Sequence, residues 1–369
     1  MVSVVLAGGG TAGHTSPLIA TAQALREAEP DIQITCVGTP RGLETRVVPE
    51  AGLRLELIPP VPLPRKVGIE LFKVPPRLAG AVRSASGILA RVNADIVVGF
   101  GGYVAMPVYL AARWARIPVV IQEQNALPGL ANKVAARFAA AVLTSFPDTP
   151  LPNARFEGMP VRREIAELAA VGRRSRQHAC RAQFGLDPEL PVLLVSGGSQ
   201  GARSLNNAIC DATDRLLAAG VQVLHVWGPK NFSDTTAGRI DERTGARYRP
   251  VGYVDAMADA YAAASLMLAR SGAGTVVETA VVGLPTILVP LPIGNGEQGL
   301  NARPVVAAGA AVLVPDEELA ADRLVAEVTS RTSDPQRLAV MSQAAQQLMP
   351  AGAANRVARV ILEQSRVKE

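Results

Sequence analysis

Short apolar runs recur along the chain, and most give way to a glycine-rich turn followed by residues with helical spacing of apolar positions. In the first half the runs Val2–Leu6, Ile32–Val37, Ile96–Val98 and Val119–Gln122 predict strands. In the second half Val192–Ser196, Gln222–Trp227, Leu266–Ala269 and Thr286–Pro290 predict four more. Helices are expected from about Pro17 to Glu29, after Tyr103, over Leu205–Ala218, and up to Gly283. Gly283 suits a helix C-terminus, with Pro285 just beyond it. Residues 163–190, with Arg173, Arg174, Arg176 and Arg181, read as a polar connector. Unbroken apolar strands alternating with helices predict parallel sheets covered on both faces, hence an α/β fold.

Four of the turns share one character: Gly8-Gly9-Gly10-Thr11-Ala12-Gly13-His14, Gly99-Phe100-Gly101-Gly102-Tyr103, Gly197-Gly198-Ser199-Gln200-Gly201-Ala202 and Ser271-Gly272-Ala273-Gly274-Thr275. Each follows a predicted strand and opens a predicted helix. There, backbone N–H groups and the helix dipole favour an anion. Two such turns fall in each half, which predicts two nucleotide-binding-type domains facing a central cleft. In open parallel sheets ligands sit outside the carboxyl ends of the strands, where all four turns lie.

Length supports two domains, since 369 residues exceed one ordinary core. The three cysteines (Cys36, Cys180, Cys210) are far apart and give neither a disulfide framework nor a metal site, which fits a reducing cytoplasm. The chain starts on an apolar strand with no basic leader, so no signal peptide is expected. The uncharged stretch Ile96–Ala112 is interrupted by Gly99, Gly101, Gly102 and Pro107, and reads as strand, turn and helix start rather than a membrane span.

The net charge of +5 is concentrated. Between Val61 and Arg91 lie Arg65, Lys66, Lys73, Arg77, Arg83 and Arg91, against the single acid Glu70. Ile69, Leu71, Phe72, Val74 and Leu78 are interleaved with them. Apolar residues among cations suit an anionic membrane surface. The alternative is a basic helix whose apolar side faces the core. Nucleic acid is not expected as a partner, because Phe72 is the one aromatic residue of the patch and total aromatic content is 4%.

The first turn fits Gly-x-Gly-x-x-Gly through Gly8, Gly10 and Gly13. A nicotinamide site then wants an acid at the end of the second strand. That strand ends Cys36-Val37-Gly38-Thr39, with no acid. Arg41 suits a 2′-phosphate, so an NADP-dependent oxidoreductase stays open, though it leaves the other three turns unexplained.

The turn Gly9-Gly10-Thr11-Ala12-Gly13-His14 resembles the GGTxGH motif of the MurG family of bacterial cell-wall glycosyltransferases. Gly101-Gly102-Tyr103, Glu123-Gln124-Asn125, Gly197 to Ala202, Arg270-Ser271-Gly272-Ala273, and Gln298 with Asn301 follow in family order, so the resemblance covers nearly the whole chain. It implies the GT-B fold: two Rossmann-like domains with parallel sheets facing a central cleft. Residues 1–162, with a C-terminal helix at about 350–369, would bind the acceptor and the membrane. Residues 163–349 would bind UDP-GlcNAc. The implied reaction is inverting transfer of GlcNAc from UDP-GlcNAc to the 4-hydroxyl of the MurNAc of lipid I (undecaprenyl-diphosphate-MurNAc-pentapeptide), forming lipid II for peptidoglycan. A protein peripheral to the cytoplasmic face of the cell membrane follows, docked through Arg65, Lys66, Ile69, Phe72, Lys73 and Arg77. Two alternatives of the same fold stay open: a UDP-GlcNAc epimerase, and a non-catalytic scaffold that binds sugar nucleotide or lipid.

No Asp-x-Asp pair occurs in the sequence, so no metal and no cofactor is expected, and backbone amides and arginine must hold the diphosphate. Ser199 and the amides after it, with Gly272, Ala273, Gly274 and Thr275, suit that task. The resemblance makes Arg162 a donor contact, Glu278 the acceptor of hydrogen bonds from the ribose hydroxyls, and Val254 a backbone contact to uracil. It puts Gln298 and Asn301 near the sugar hydroxyls. Arg270 either adds charge or braces its turn. Thr11, Ala12 and Gly13 line the first turn. His14 is the candidate general base, as a histidine near its ordinary pKa suits that role. Its alternative is to orient the diphosphate or the helix end. Glu123 is the rival base, with Tyr103 and Asn125 as positioning groups. Where the family reads His-Glu-Gln-Asn, this chain reads Gln122-Glu123-Gln124-Asn125, so position 122 is not expected to be the base.

Overall fold

The structure is a computed structural model that describes residues 1–61, 74–198, 201–233 and 236–367. Its chain divides into two compact units, Met1–Arg162 with Gly352–Glu369, and Arg163–Ala351.

The first unit runs β1 (Ser3–Ala7), α1 (Ala12–Ala28), β2 (Gln33–Gly38), α2 (Glu44–Glu50), β3 (Arg54–Leu57), α3 (Val74–Arg91), β4 (Ile96–Gly99), α4 (Ala105–Trp114), β5 (Val119–Glu123), α5 (Leu130–Ala135), β6 (Ala141–Thr144) and β7 (Ala154–Phe156). Its sheet is parallel throughout, in the order β3-β2-β1-β4-β5-β6-β7. Alternation along β1 explains why the strand reads as one apolar run. Val4 and Leu6 join a core with Leu18 and Leu25 of α1, while Val5 and Ala7 join another with Val82 and Ile88 of α3 and Val108 of α4. Both faces are covered, so every second residue is as apolar as its neighbours.

The second unit runs α6 (Arg163–Val171), α7 (Gln177–Gln183), β8 (Val192–Ser196), α8 (Arg203–Ala218), β9 (Gln222–Val226), β10 (Arg239–Ile240), β11 (Arg247–Val251), α9 (Met257–Ala263), β12 (Leu266–Ala269), α10 (Ala273–Val281), β13 (Thr286–Leu288), α11 (Glu297–Ala307), β14 (Ala311–Leu313), α12 (Ala321–Thr332) and α13 (Pro335–Leu348). The sheet order is β10-β11-β9-β8-β12-β13-β14, parallel except for the antiparallel edge strand β10. The last helix, α14 (Ala353–Arg366), belongs to the first unit. There Val357 and Ile361 complete the core on the α1 side, and Arg356 pairs with Glu157 at 3.3 Å.

In each sheet the order reverses about its first strand, between β1 and β4 and again between β8 and β12. That is the topological switch point at which α/β sheets bind ligands. All four glycine turns follow these four strands.

Two expectations need correction. The first helix begins at Ala12, not near Pro17, so Ala12, Gly13 and His14 are helical rather than turn residues. The amides of His14 and Thr15 both bond to the Thr11 carbonyl, so the first turn is already closed before Pro17. Nor are residues 163–190 an unstructured connector. They form α6, a 3-10 turn at Arg173–Arg176, and α7. Two of their arginines, Arg173 and Arg181, are buried inward partners. Arg173 donates to Ala264 O, and Arg181 donates to Ala263 O at 3.0 Å and Ser265 Oγ at 2.9 Å. Those carbonyls end α9, where orphan acceptors and the helix dipole attract cations.

Candidate active site

In the first unit the switch point is built from the turns after β1 and β4. Thr11 is the N-cap of α1 without a side-chain capping bond, and its Oγ1 lies 3.1 Å from His14 Nδ1. The His14 ring also meets the Gly9 carbonyl. Opposite stands the Gly101-Gly102 backbone, both residues at positive φ. A Cβ on Gly102 would sit 3.1 Å from Gly9 O, so glycine is what lets the two turns close on one another. Desolvation lowers the His14 pKa, opposed by the negative charge of Glu44 and the Gly9 carbonyl. The imidazole is therefore neutral at neutral pH and able to accept a proton.

Glu123, the rival base, ends β5 and is buried. Its carboxylate accepts from Asn125 N at 2.8 Å, Gly129 N at 3.0 Å and Asn132 Nδ2 at 2.8 Å. Asn132 in turn accepts from the Tyr109 hydroxyl at 2.7 Å. Burial raises the Glu123 pKa, and these donors oppose the rise. Tyr103, by contrast, is 55% exposed between the second turn and α4. Gln122 is buried, its amide donating to Ser145 Oγ at 3.1 Å and Gly158 O at 3.0 Å, which ties β5 to the chain beyond β6.

In the second unit the turns after β8 and β12 lead to α8 and α10, whose N-caps Ala202 and Gly272 provide no side-chain capping bond. Their first-turn amides are thus left to other acceptors. Gly201, at φ +72°, has no room for a side chain: a Cβ would overlap Trp227 O and the Asn231 amide. Arg270 is largely buried, and both of its terminal guanidinium nitrogens are bonded to protein groups. It donates to Asp316 at 2.6 Å, Ser204 Oγ at 2.7 Å, Pro290 O at 3.1 Å and Val289 O at 3.2 Å. These bonds tie α8, β13 and the Asp316–Glu318 turn together beneath the fourth glycine turn. The geometry is that of a brace.

Glu278, partly exposed on α10, accepts from the Tyr261 hydroxyl at 3.0 Å. Gln298 accepts the Leu291 N–H at 2.9 Å. Asn301 is fully buried on α11, its amide 3.4 Å from Ser271 O. Val254 lies in the loop after β11 and Arg162 at the end of the first unit. Ser199, Arg65, Lys66, Ile69, Phe72 and Lys73 lie outside the described residues. Arg77 is exposed near the start of α3, whose apolar residues Ala81, Val82, Ala85, Ile88 and Leu89 face the core. Among the described residues no group of three His, Cys, Asp or Glu side chains is placed to hold a metal ion.

Sequence reading missed Glu44, Asn132, Ser204 and Asp316, each a polar partner from a distant segment. Glu44 alone carried a usable signal, as an acid six residues beyond the end of β2.

Two Rossmann-ordered sheets, each with paired glycine turns at its switch point, define a GT-B glycosyltransferase architecture. Residues 4–144 match the glycosyltransferase family 28 N-terminal domain, and residues 192–357 match its C-terminal domain. The UDP-N-acetylglucosamine–N-acetylmuramyl-(pentapeptide) pyrophosphoryl-undecaprenol N-acetylglucosamine transferase of Cutibacterium acnes is 64% identical over 366 residues, covering 98% of this chain and 97% of that one. The transferase of the same name from a Nocardioides species is 57% identical, again over 98% and 97%. The crystal structure of Acinetobacter baumannii MurG superposes with a TM-score of 0.76 at 27% identity, over 98% of this chain and all of that one. The chain belongs to glycosyltransferase family 28 and, within it, to the MurG family.

Proposed function

We propose that this protein transfers GlcNAc from UDP-GlcNAc to the 4-hydroxyl of the MurNAc of lipid I, forming lipid II. The observation that carries the reading is sequence identity of 64% over nearly the full length of a transferase whose name states that donor and that lipid-linked acceptor. The nicotinamide alternative loses its footing at Glu44, because the acid beyond β2 points back to Gly10 N–H instead of outward to a ribose.

His14 is the general base. It is neutral, stands at the first turn of α1, and is steadied by Thr11. It takes the proton of the 4-hydroxyl as that oxygen attacks the anomeric carbon from the face opposite UDP, which inverts the centre. The bond formed is O4 to C1, and the bond broken is C1 to the β-phosphate oxygen, which leaves with UDP. Glu123, with its carboxylate committed to Asn125, Gly129 and Asn132, positions the loop that carries Asn125. Tyr103 stands at the acceptor.

Negative charge grows on the diphosphate in the transition state. It is met by Ser199 and the amides after it and by those from Gly272 to Thr275, with Arg162 as the cation. Arg270 supports those amides from behind. Glu278, oriented by Tyr261, accepts from the ribose hydroxyls, the Val254 backbone reads uracil, and Gln298 meets the sugar hydroxyls. Asn301 shapes the turn from beneath.

The acceptor is lipid-anchored, and the protein works as a peripheral protein at the cytoplasmic face of the membrane. No helix among the described residues is long and apolar enough to cross one. The docking segment is Arg65, Lys66, Ile69, Phe72 and Lys73, continued by Arg77. Phe72→Asp with Lys73→Glu should lower sedimentation with anionic vesicles while sparing transfer to a detergent-soluble acceptor. Equal vesicle binding would refute this docking segment.

The test of the whole reading is transfer of radiolabel from UDP-GlcNAc to a lipid I analogue in EDTA, with UDP-glucose and acceptor-free controls. Labelled disaccharide-lipid is expected. UDP-GlcNAc binding without product would point to an epimerase or scaffold instead.

A further inference from the structure

We propose that Glu44 is a positioning residue for His14: its buried carboxylate fastens the first glycine turn to the end of β2 and sets a fixed negative charge behind the imidazole. The proposal rests on His14 as the general base.

Glu44 opens α2 and is completely buried. Its Oε2 accepts Gly10 N–H at 2.8 Å, and its Oε1 accepts Thr39 N–H at 2.9 Å and the Thr39 hydroxyl at 3.0 Å. One carboxylate therefore spans two segments of the switch point, the turn after β1 and the end of β2. Three glycines wall it in. A Cβ on Gly9, Gly38 or Gly42 would overlap the Glu44 side chain. Such a cradle has room for this side chain and for no larger neighbour.

The fixed turn passes directly to His14. Gly9 backs on Glu44, and its carbonyl meets the His14 ring. A turn freed at Gly10 would move both that carbonyl and the start of α1. A misplacement of about 1 Å at a reacting group can cost on the order of a hundredfold in rate.

The charge acts separately from the fixing. Glu44 opposes the desolvation that lowers the His14 pKa. The other elements at the ring bring little charge. The first turn of α1 holds no acid, the turn after β4 presents the Gly101-Gly102 backbone, and α5 brings the Asn132 amide. Glu123 sits behind that amide, bonded to it. Glu44 is therefore suited to keep the imidazole basic enough to take a proton, while burial keeps it neutral.

Glu44→Gln separates these effects from simple packing. The glutamine is nearly isosteric, but its NH2 must face either Gly10 N–H or Thr39 N–H, donor against donor. The full-length Glu44→Gln and Glu44→Asp variants are measured for kcat against pH, for KM of UDP-GlcNAc, and for the His14 titration midpoint by NMR of labelled histidine, assigned with His14→Gln. In Glu44→Gln, kcat should fall by roughly ten- to a hundredfold, with KM unchanged within about threefold. The acid limb of the profile and the His14 midpoint should both move down by about one unit. Glu44→Asp should lower kcat yet keep the midpoint near that of the parent.

A Glu44→Gln protein with parental kcat and parental His14 midpoint overturns the proposal, as does an effect confined to KM. Should Glu44→Gln fail to fold, Gly42→Ala displaces the carboxylate while keeping it, and parental kcat there is equally fatal. The two readings fail separately. Full turnover in His14→Ala would sink the base, whereas the NMR midpoint tests whether Glu44 governs His14 whatever the base is.

Discussion

His225 lies fully buried on β9, and its neighbours dictate its proton. Its Nε2 is 3.0 Å from Asn206 Oδ1, an acceptor, which puts the hydrogen there. Nδ1 then accepts from the Tyr248 hydroxyl at 2.9 Å, which in turn accepts from Trp227 Nε1 at 3.1 Å. Nothing among these partners stabilises an imidazolium, and burial lowers the His225 pKa from 6.5 to about 3. The folded state therefore binds this proton more weakly than the unfolded state. The stability involved is complete above the unfolded pKa and is lost as pH falls towards 3, a loss of at most about 5 kcal/mol. Urea unfolding followed by Trp227 fluorescence, in a Trp114→Phe background, should show the second unit weakening steadily below pH 6.5. His225→Gln should flatten that slope, and an unchanged slope would assign the acid sensitivity elsewhere. His14 is also pushed towards neutrality, yet it has Glu44 behind it and stands at a switch point. For His14→Ala the expected outcome is a loss of turnover of roughly 10²- to 10⁴-fold, with KM for UDP-GlcNAc largely kept. Unchanged turnover, or loss of donor binding alone, would reject the base role.

At the scale of elements, α14 offers the sharpest test of packing. It lies far in sequence from α1, yet Val357 and Ile361 are fully buried with Leu18 and Leu25. Ile361→Ala should destabilise the first unit by about 2–5 kcal/mol through lost burial and a cavity, read from its denaturation midpoint. A shift under about 0.5 kcal/mol would mean that the helix is dispensable to that core. The helix was expected only through the family resemblance, which implies a C-terminal helix after Pro350. By contrast β1, β4, β8 and β12 with their glycine turns were legible in the residues themselves, because strands buried on both faces leave uninterrupted apolar runs. Edge strands were not. β3 (Arg-Leu-Glu-Leu), β7 and β10 are short and polar, with exposed positions, and carry no such run. The arginine-rich stretch from Arg173 to Arg181 looked solvated because its acceptors, the carbonyls of Ala263 and Ala264, lie more than eighty residues away. Separation along the chain also hid the roles of Arg270 and Asn301, whose partners Asp316, Ser204 and Ser271 lie 30 to 66 residues away. Their residue types pointed to a site, but only the fold supplied Asp316, Ser204 and Ser271 as their partners.

For the whole molecule the decisive fact is that the two units differ in how the chain builds them. The second is one continuous stretch, Arg163–Ala351, with its own seven-stranded sheet and a core around Leu193, Val195, Leu205 and Ile209. The first is discontinuous, since it needs Gly352–Glu369 to cover α1. A fragment of residues 163–351 should therefore melt cooperatively and bind UDP in calorimetry, yet transfer nothing to lipid I, because it lacks His14. Residues 1–162 alone would expose the Leu18 and Leu25 surface and should aggregate. Arg356 reaches Glu157 O at 2.8 Å, so the start of α14 lies beside the end of the first segment. Joining residue 162 to residue 352 through a short Gly/Ser linker should then restore a soluble, cooperatively melting first unit. A second-unit fragment that stays unfolded, or a 1–162 fragment that melts cooperatively without α14, would contradict this division of the chain.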